Sequence, residues 1–228
     1  MPLVELAPEP RRGRPDPLSN DRVVRAAVAF ADRHGIEALS MRKLADELGV
    51  GAMSLYYYFA NKDELIDGMV DIVFGEIEPP SLELEWKTAM RRRAVSTREA
   101  LRRHRWAVGL MEGRTAGLAS IRVREAILGC LRRAGFSVEM TIQAYSVQDA
   151  YIYGFALQER SLPFESTEES TEIAEASAAR VADLARDFPY LAEVVAGHVA
   201  KVGYDFTAAF EYGLDLILDQ LDERRDEA

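Results

Sequence analysis

Hydroxyl-bearing and basic side chains are concentrated in one short stretch of this 228-residue chain, residues 40–62. Serine and tyrosine hydroxyls can hydrogen bond to phosphate oxygens or base edges, and lysine and arginine supply the charge that phosphate binding needs. Small or apolar side chains between them can contact the methyl group of thymine. The residues with this chemistry are Ser40, Arg42, Ala52, Met53, Ser54, Tyr56, Tyr57, Tyr58 and Lys62. Together they predict a surface that binds DNA.

Two short helices must position this surface. Apolar residues recur with helical spacing over residues 41–48, and Gly49-Val50-Gly51 follows as a tight turn. A second helix is predicted over residues 52–58, with Leu55 and Phe59 facing the core. In a helix-turn-helix, this second helix lies in the major groove of DNA. A small helical core in which the tyrosines only pack is the alternative, because helix pairs joined by a glycine turn are common.

The whole chain is predicted to be all-α, because apolar residues have helical spacing nearly everywhere and no alternation is long enough for a strand. The other predicted helices cover residues 20–34, from 61 onward, 84–103, 106–112, 118–134, 138–159, 171–186, 190–200 and 205–223. Pro79-Pro80 interrupts the helical pattern. This break divides the chain into a flexible basic arm (1–18), a three-helix helix-turn-helix domain (19–78) and a larger helical domain (79–228).

Composition excludes several classes of protein. The net charge of −10 argues at first against nucleic acid, but most of the excess acid lies after residue 133, far from residues 40–62. No apolar run is long enough to span a membrane, and the N-terminus lacks the apolar segment of a signal peptide. The single cysteine, Cys130, predicts a buried thiol and a reducing, cytoplasmic setting.

Catalytic and metal-binding motifs are absent from the sequence. The three histidines are too scattered to form a metal site with the acids, and no glycine-rich phosphate loop, HExxH or GxSxG pattern occurs. We therefore expect a protein that is not an enzyme and that needs no metal or cofactor.

The segment 84–103 is rich in arginine, which allows two interpretations. A basic helix can form a second DNA-binding face or lie on a membrane surface. The favoured interpretation is a solvated face, partly paired with the acidic residues Asp63, Glu64, Asp67 and Asp71 of the helix that begins near residue 61.

Aromatic and sulfur-containing residues are concentrated in the larger domain. Most of them are expected in the core, but with polar neighbours they predict an apolar pocket for a small molecule. The predicted pocket residues are Trp106, Leu110, Met111, Phe136, Met140, Gln148, Asp149, Ile152 and Phe155. A second apolar face on two long helices predicts a four-helix dimer interface. Its residues are Ile142, Tyr145, Tyr212, Leu216 and Ile217.

Residues 19–77 closely resemble the DNA-binding domain of the tetracycline-repressor (TetR) family. The resemblance rests on three runs, His34 to Ala45, Leu48-Gly49-Val50, and Leu55 to Leu65, and the Arg-Gly-Arg-Pro of residues 12–15 is similar to the family's basic arm. It implies an all-helical homodimer that represses transcription and leaves DNA when a small molecule binds. From their charge alone, Arg11, Arg12 and Arg14 on this flexible arm are expected to reach the neighbouring minor groove of DNA. Tyr57 and Ser54 are the base-edge candidates, whereas Tyr56, Tyr58 and Lys62 hold phosphates or pack.

The larger domain resembles the effector domain of the tetracycline repressors themselves, with one departure. Those proteins hold a magnesium–drug complex through a histidine just before a conserved arginine. If Arg114 is that arginine, the histidine position holds Leu110, and two other metal-linked positions hold Gln158 and Glu78. Magnesium–tetracycline is therefore not the expected ligand.

The sequence thus predicts a ligand-responsive transcriptional regulator. It would repress from a palindromic operator and be released by a small apolar or aromatic effector. The alternative is a helical protein that binds small molecules or acts as an enzyme and whose helix-turn-helix is vestigial, and DNA binding that falls steeply with salt separates it from the regulator. A second alternative is a regulator that activates transcription instead of repressing it.

Overall fold

The computed structural model describes residues 18–111, 113–114, 117–161, 185–196 and 206–226. These residues form nine α-helices and one 3₁₀ turn, and no strand occurs among them, so the predicted all-α class is confirmed. The helices are α1 Asn20–His34, α2 Met41–Leu48, α3 Ala52–Tyr56, α4 Lys62–Gly75, α5 Trp86–Arg103, α6 Leu118–Arg133, α7 Val138–Arg160, α8 Pro189–Val194 and α9 Phe206–Asp226. None of the described helices is long and apolar enough to cross a membrane.

Side-chain caps explain where most of the long helices begin. The side-chain oxygen of Ser19 accepts a hydrogen bond from Arg22 N, three residues later. Ser40, Asn61 and Ser137 cap their helices in the same way, each accepting from the backbone N–H three residues further along the chain. Each cap satisfies one of the backbone N–H groups that the first turn of a helix leaves without a partner. The sequence predicted these helices because such caps stand directly before an apolar stripe.

Several predicted helix boundaries were wrong, and one predicted helix does not form in the described residues. Helix α3 ends at Tyr56 instead of residue 58, α4 begins at Lys62 because Asn61 is its cap, and α5 begins at Trp86. The described part of the predicted helix 106–112 consists of turns, with Ala107 N donating to His104 O and Leu110 N to Ala107 O. Such bonds close turns that are tighter than those of an α-helix.

Other predicted helices lie partly or wholly outside the described residues. This applies to nearly all of the segment 171–186 and to residues 197–200 of the predicted helix 190–200. The described beginning of that second helix is α8. Arg14 also lies outside them, as do all residues of the predicted arm before Leu18.

One continuous apolar core joins the two halves of the chain. Helix α4 is central, because it packs against α1 on one side and α6 on the other. Beyond α6, α5 packs against α6 and α7, and α7 packs against α9. Helix α4 therefore joins the packing of the N-terminal helices to that of the larger domain.

Arg92, Arg102 and Arg103 of α5 are exposed, as the interpretation of α5 as a solvated face predicts, but that interpretation was wrong for the buried arginines of this helix. Arg93 and Arg98 are buried, and their partners lie on α7: Asp149, 2.5 Å from Arg93 Nη2, and Glu159, 2.6 Å from Arg98 Nη2. Arg91 pairs with Asp215 of α9. These arginines hold α5 to α7 and α9, and not to the acidic side chains of α4.

Candidate nucleic-acid interface

Helix α3 is held by two buried side chains and presents its other residues outward. Leu55 and Phe59 are buried in the core, four residues apart. On the opposite side Met53 is 79% exposed, Tyr57 85% and Tyr56 46%. Ser54 is exposed and Ala52 is half-buried. An exposed apolar and aromatic face on a firmly packed helix is a surface suited to recognition, because apolar groups gain free energy when a partner covers them.

Helix α2 places polar groups beside this face. Ser40 Oγ accepts a hydrogen bond from Lys43 N at 3.3 Å, so Ser40 acts as a helix cap. Arg42, in the first turn of α2, is exposed. Gly49 adopts the left-handed conformation (φ 69°) and turns the chain from α2 toward α3. The arrangement of α2, turn and α3 is that of a helix-turn-helix.

Two predicted contact residues already have partners within the chain. The Tyr58 hydroxyl donates a 2.8 Å hydrogen bond to Leu18 O, and the Tyr58 ring lies edge-on to Tyr57. Lys62 Nζ lies 3.5 Å from Ile36 O. Of the two functions considered for Tyr58, phosphate contact and packing, its position favours packing.

A first junction joins the helix-turn-helix part to the segment after α5. His104 Nδ1 lies 2.8 Å from Asp32 Oδ1 of α1, and His104 Nε2 lies 3.1 Å from Glu76 Oε1 at the end of α4. Trp106 Nε1 donates to the same Asp32 oxygen at 2.7 Å, and Arg103 donates to Glu76. Both ring nitrogens of His104 thus face a carboxylate oxygen.

The electrostatics of Glu76 reflect this junction. Partial burial alone would raise its pKa, but hydrogen bonds from Arg103 and His104 and the charges of both residues outweigh burial, so the pKa of Glu76 lies below its ordinary value. The carboxylate therefore stays ionised in its contact with the larger domain.

A second junction lies between α4 and α6. Arg114 Nε donates to Asp67 Oδ1 at 2.7 Å, and its Nη2 donates to Asp63 O at 3.1 Å. The carboxylate of Asp71 accepts from Ala119 N and Ser120 N in the first turn of α6, at 3.2 and 3.0 Å. A negative group is favoured at this end of a helix. The acidic stripe of α4 thus binds Arg114 and the start of α6.

Sequence reasoning found this acidic stripe but assigned it the wrong partner. Asp63, Asp67 and Asp71 are spaced by four residues, which places them on one side of α4. Their partners are a single arginine, Arg114, and backbone N–H groups at the start of α6. Neither kind of partner can be recognised from a pattern of charged residues in the sequence. His104, Asp32 and Arg114 were therefore missed as residues that join the two parts.

The predicted pocket residues occupy several different surroundings. Trp106 is committed to the first junction, and Phe136 packs edge-on against Trp86 at 4.9 Å. Gln148 and Asp149 contact Arg93, and Phe155 packs against Phe206 and Phe210. The remaining four of the nine lie in the core or against it. They are Leu110, Met111, Met140 and Ile152.

The predicted dimer face is exposed in the single chain. Ile142 on α7 and Tyr212 and Leu216 on α9 are each more than half exposed, while Tyr145 and Ile217 are half-buried. These two helices pack against each other. An apolar face of this kind is suited to a partner of the same chemistry.

Comparison with known proteins gives two family matches. The family described as "Bacterial regulatory proteins, tetR family" matches residues 23–69, and "Tetracyclin repressor-like, C-terminal domain" matches residues 79–225. The HTH-type transcriptional repressor DrrR1 of Streptomyces coeruleorubidus is 34% identical, with 96% of this chain and 83% of DrrR1 covered. The tetracycline repressor protein class A from transposon 1721 of Escherichia coli is 28% identical, with coverage of 91% and 92%.

Solved structures agree with these matches. The crystal structure of the Streptomyces coelicolor TetR family protein ActR in complex with actinorhodin has a TM-score of 0.76 and 30% identity to this chain. The match covers 90% of this chain and 96% of that one. The similar proteins are transcriptional regulators and not enzymes.

Proposed function

Because the chain belongs to the TetR family of transcriptional regulators, we propose that it is a homodimeric repressor that a small apolar or aromatic effector releases from a palindromic operator. The observation that carries the proposal is the exposed face at α3. There Met53 and Tyr57 are exposed, while Leu55 and Phe59 are buried in the core. In this proposal residues 19–78 bind DNA, and residues 79–228 bind the effector and dimerise, with residues 1–18 as a basic arm.

The proposed DNA contacts divide by chemistry. Ala52, Met53, Ser54 and Tyr57 face the bases, since they lie on or beside the exposed side of α3. Phosphates are bound by Ser40, Arg42, Tyr56 and Lys62, and Arg14 enters the neighbouring minor groove. Tyr58 supports the arrangement by packing.

The dimer forms through the exposed apolar face of α7 and α9, centred on Ile142, Tyr212 and Leu216. A two-fold dimer presents two copies of α3, and a palindromic operator has the matching symmetry. Since such a regulator acts on the chromosome, we place it in the cytoplasm.

Effector binding acts on the two copies of α3 through the two junctions. The segment 103–120 contacts α1 through Asp32 and α4 through Asp67, Asp71 and Glu76. An effector that favours a shifted position of this segment would move α4 and change the spacing of the two α3 helices. Release requires the effector to bind the shifted dimer more tightly than the DNA-bound one.

The proposal of an apolar or aromatic effector rests on the many aromatic side chains of the larger domain, among them Phe136 and Phe155. The relative ActR was crystallised with actinorhodin, which supports an organic effector. If Arg114 is the conserved arginine of the tetracycline-binding repressors, Leu110 holds the position of their metal-linked histidine, which argues against a magnesium–tetracycline complex.

Selection of binding sites from a random DNA library tests the repressor proposal. The purified dimer should enrich a palindrome, and its affinity should fall steeply with salt. Tyr57→Ala should relax the sequence preference, whereas Lys62→Ala should weaken binding to all sequences alike. The proposal is wrong if no palindrome is enriched. A reporter gene behind the enriched site then distinguishes repression from activation.

A further inference from the structure

The recognition surface, which we define as Ala52, Met53, Ser54, Tyr56 and Tyr57, lacks the side chains that usually distinguish bases. Arginine and lysine bind guanine, asparagine and glutamine bind adenine, and acidic side chains accept from cytosine. Residues 49–60 contain none of these types. Asn61 is the next amide, and its Oδ1 accepts from Glu64 N at the start of α4.

The hydroxyl groups of this surface discriminate weakly between bases. Each hydroxyl is both a donor and an acceptor, so it can satisfy either kind of group on a base edge. A hydroxyl also makes a single hydrogen bond where a guanidinium or an amide makes two. Ser54, Tyr56 and Tyr57 can therefore add affinity without fixing the identity of a base pair.

The remaining chemistry of the surface is apolar, and it is concentrated on one side. Met53 and Tyr57 are four residues apart, and they are the two most exposed large apolar side chains of the segment. Tyr57 keeps helical backbone angles (φ −68°, ψ −30°), so the pair stays on the same side although α3 ends at Tyr56. A methionine adapts its shape to its partner because it is unbranched and polarizable.

The major groove offers one apolar group to such a pair, the C5-methyl group of thymine. We infer that this chain recognises its operator mainly through thymine methyl groups packed against Met53 and its neighbours, and not through paired hydrogen bonds to bases. This inference rests on the proposed repressor function and adds the chemistry by which the operator is selected.

The test removes the methyl group and nothing else. Each thymine of the enriched operator is replaced in turn by deoxyuridine, and the Kd is measured for each DNA. At one or two positions in each half-site the Kd should rise about three- to fivefold, the effect expected when one buried methyl-sized group is lost. An operator in which no thymine is sensitive would overturn the inference, as would enriched half-sites without thymine.

A variant protein shows whether Met53 makes the contact. Met53→Ala should bind the thymine and deoxyuridine operators with nearly equal Kd, because the methyl group has lost its partner. The matched control is Arg42→Ala, which should weaken both DNAs and keep the difference between them. Because Met53 is 79% exposed, its replacement should leave the melting temperature unchanged. A full deoxyuridine effect in Met53→Ala would assign the methyl contact elsewhere and overturn the inference for this residue.

A second DNA change separates methyl recognition from hydrogen bonding. Replacing a sensitive thymine by cytosine should weaken binding, and 5-methylcytosine at the same position should recover most of the loss. The inference fails if methylation has no effect. This failure is distinct from failure of the proposed function, in which no palindrome is enriched at all.

Discussion

Arg93 brings a positive charge into the centre of the helical bundle. Its side chain is 1% exposed, its Nη2 lies 2.5 Å from Asp149, and its Nη1 donates to Gln148 at 3.3 Å. Burying a charge is costly unless a partner of opposite charge compensates it. Here the two charges come from two helices, Arg93 from α5 and Asp149 from α7. Arg93 therefore fixes the position of α7 against α5.

Replacing Arg93 alone should be strongly destabilising. In Arg93→Met, Asp149 stays buried without its cation, and the free energy of unfolding should fall by about 3–5 kcal/mol. Urea denaturation measures this change. The double variant Arg93→Met, Asp149→Leu should recover most of the loss, and Arg92→Met, at an exposed neighbouring position, should change stability by less than about 0.5 kcal/mol. Equal effects at positions 92 and 93 would contradict the assignment.

The sequence could not predict the burial of these arginines. Arg93 and Arg98 lie on the same buried side of α5 as Ala94 and Leu101, so the charge stands within the apolar stripe. Whether such a stripe is buried depends on what faces it. The facing acids, Asp149 and Glu159, are more than 50 residues away in the chain. By contrast, the exposure of Met53 and Tyr57 followed from the buried positions of Leu55 and Phe59 in the same short segment.

At the scale of the elements, the turn between α2 and α3 depends on one backbone conformation. Gly49 has φ 69°, and Val50 N donates back to Ala45 O at 3.0 Å, which closes the end of α2. A Cβ at Gly49 would meet no atom within 4 Å, so only the backbone conformation requires glycine here.

Gly49→Ala should therefore cost about 1–2 kcal/mol in stability, because an L-residue is strained in the left-handed region. Thermal unfolding followed by circular dichroism measures it. Gly109→Ala is the control, since Gly109 is exposed, has open space around it and does not have positive φ. The control should unfold at the same temperature as the parent or slightly above it. An equal loss in both variants would show that the backbone conformation is not the cause.

The start of α6 depends on close approach and not on a backbone angle. A Cβ at Gly117 would overlap the carboxylate of Asp71, which accepts from the first N–H groups of α6. Gly117→Ala should displace this carboxylate and reduce stability by about 1–3 kcal/mol. Urea denaturation against Gly129→Ala provides the comparison, because Gly129 lies within α6 with open space around it and should gain up to about 1 kcal/mol. A stable Gly117→Ala would mean that Asp71 moves without cost.

Elements with a cap and an apolar stripe were predictable, and those held by distant contacts were not. Ser19, Ser40 and Ser137 marked the starts of α1, α2 and α7 because capping is local. The segment 105–111 has helical composition but forms turns, because His104 and Trp106 are both held by Asp32, some 70 residues earlier. Local propensity cannot predict such a contact.

At the scale of the whole molecule, the junction at Glu76 joins the two halves through charge. Arg103 and His104 donate to Glu76 from the larger domain, and Arg25 of α1 adds a favourable charge interaction. The pKa of Glu76 is lowered in the folded chain, so its contribution to stability is present above its unfolded pKa, which has the ordinary value of 4.5. This contribution is lost as the pH falls below that value.

Glu76→Gln should consequently flatten the acid side of the stability profile. The free energy of unfolding, measured by urea denaturation between pH 6 and pH 3.5, should fall less steeply in the variant than in the parent. Glu99→Gln, at an exposed position of α5, should keep the slope of the parent. If Glu76→Gln and the parent lose stability in parallel, the carboxylate of Glu76 does not join the halves in this way.

The hydrogen bond from Tyr58 to Leu18 fixes a starting point for the arm that precedes it. Tyr58 directly follows the exposed Tyr57, so the chain leaves the domain beside the face that we propose for DNA. An extended chain spans at most about 3.5 Å per residue, which limits Arg14 to about 14 Å from Leu18 and Arg11 to about 25 Å. In the repressor that we propose, the length of the arm, and not only its charge, would restrict it to the groove next to its own half-site.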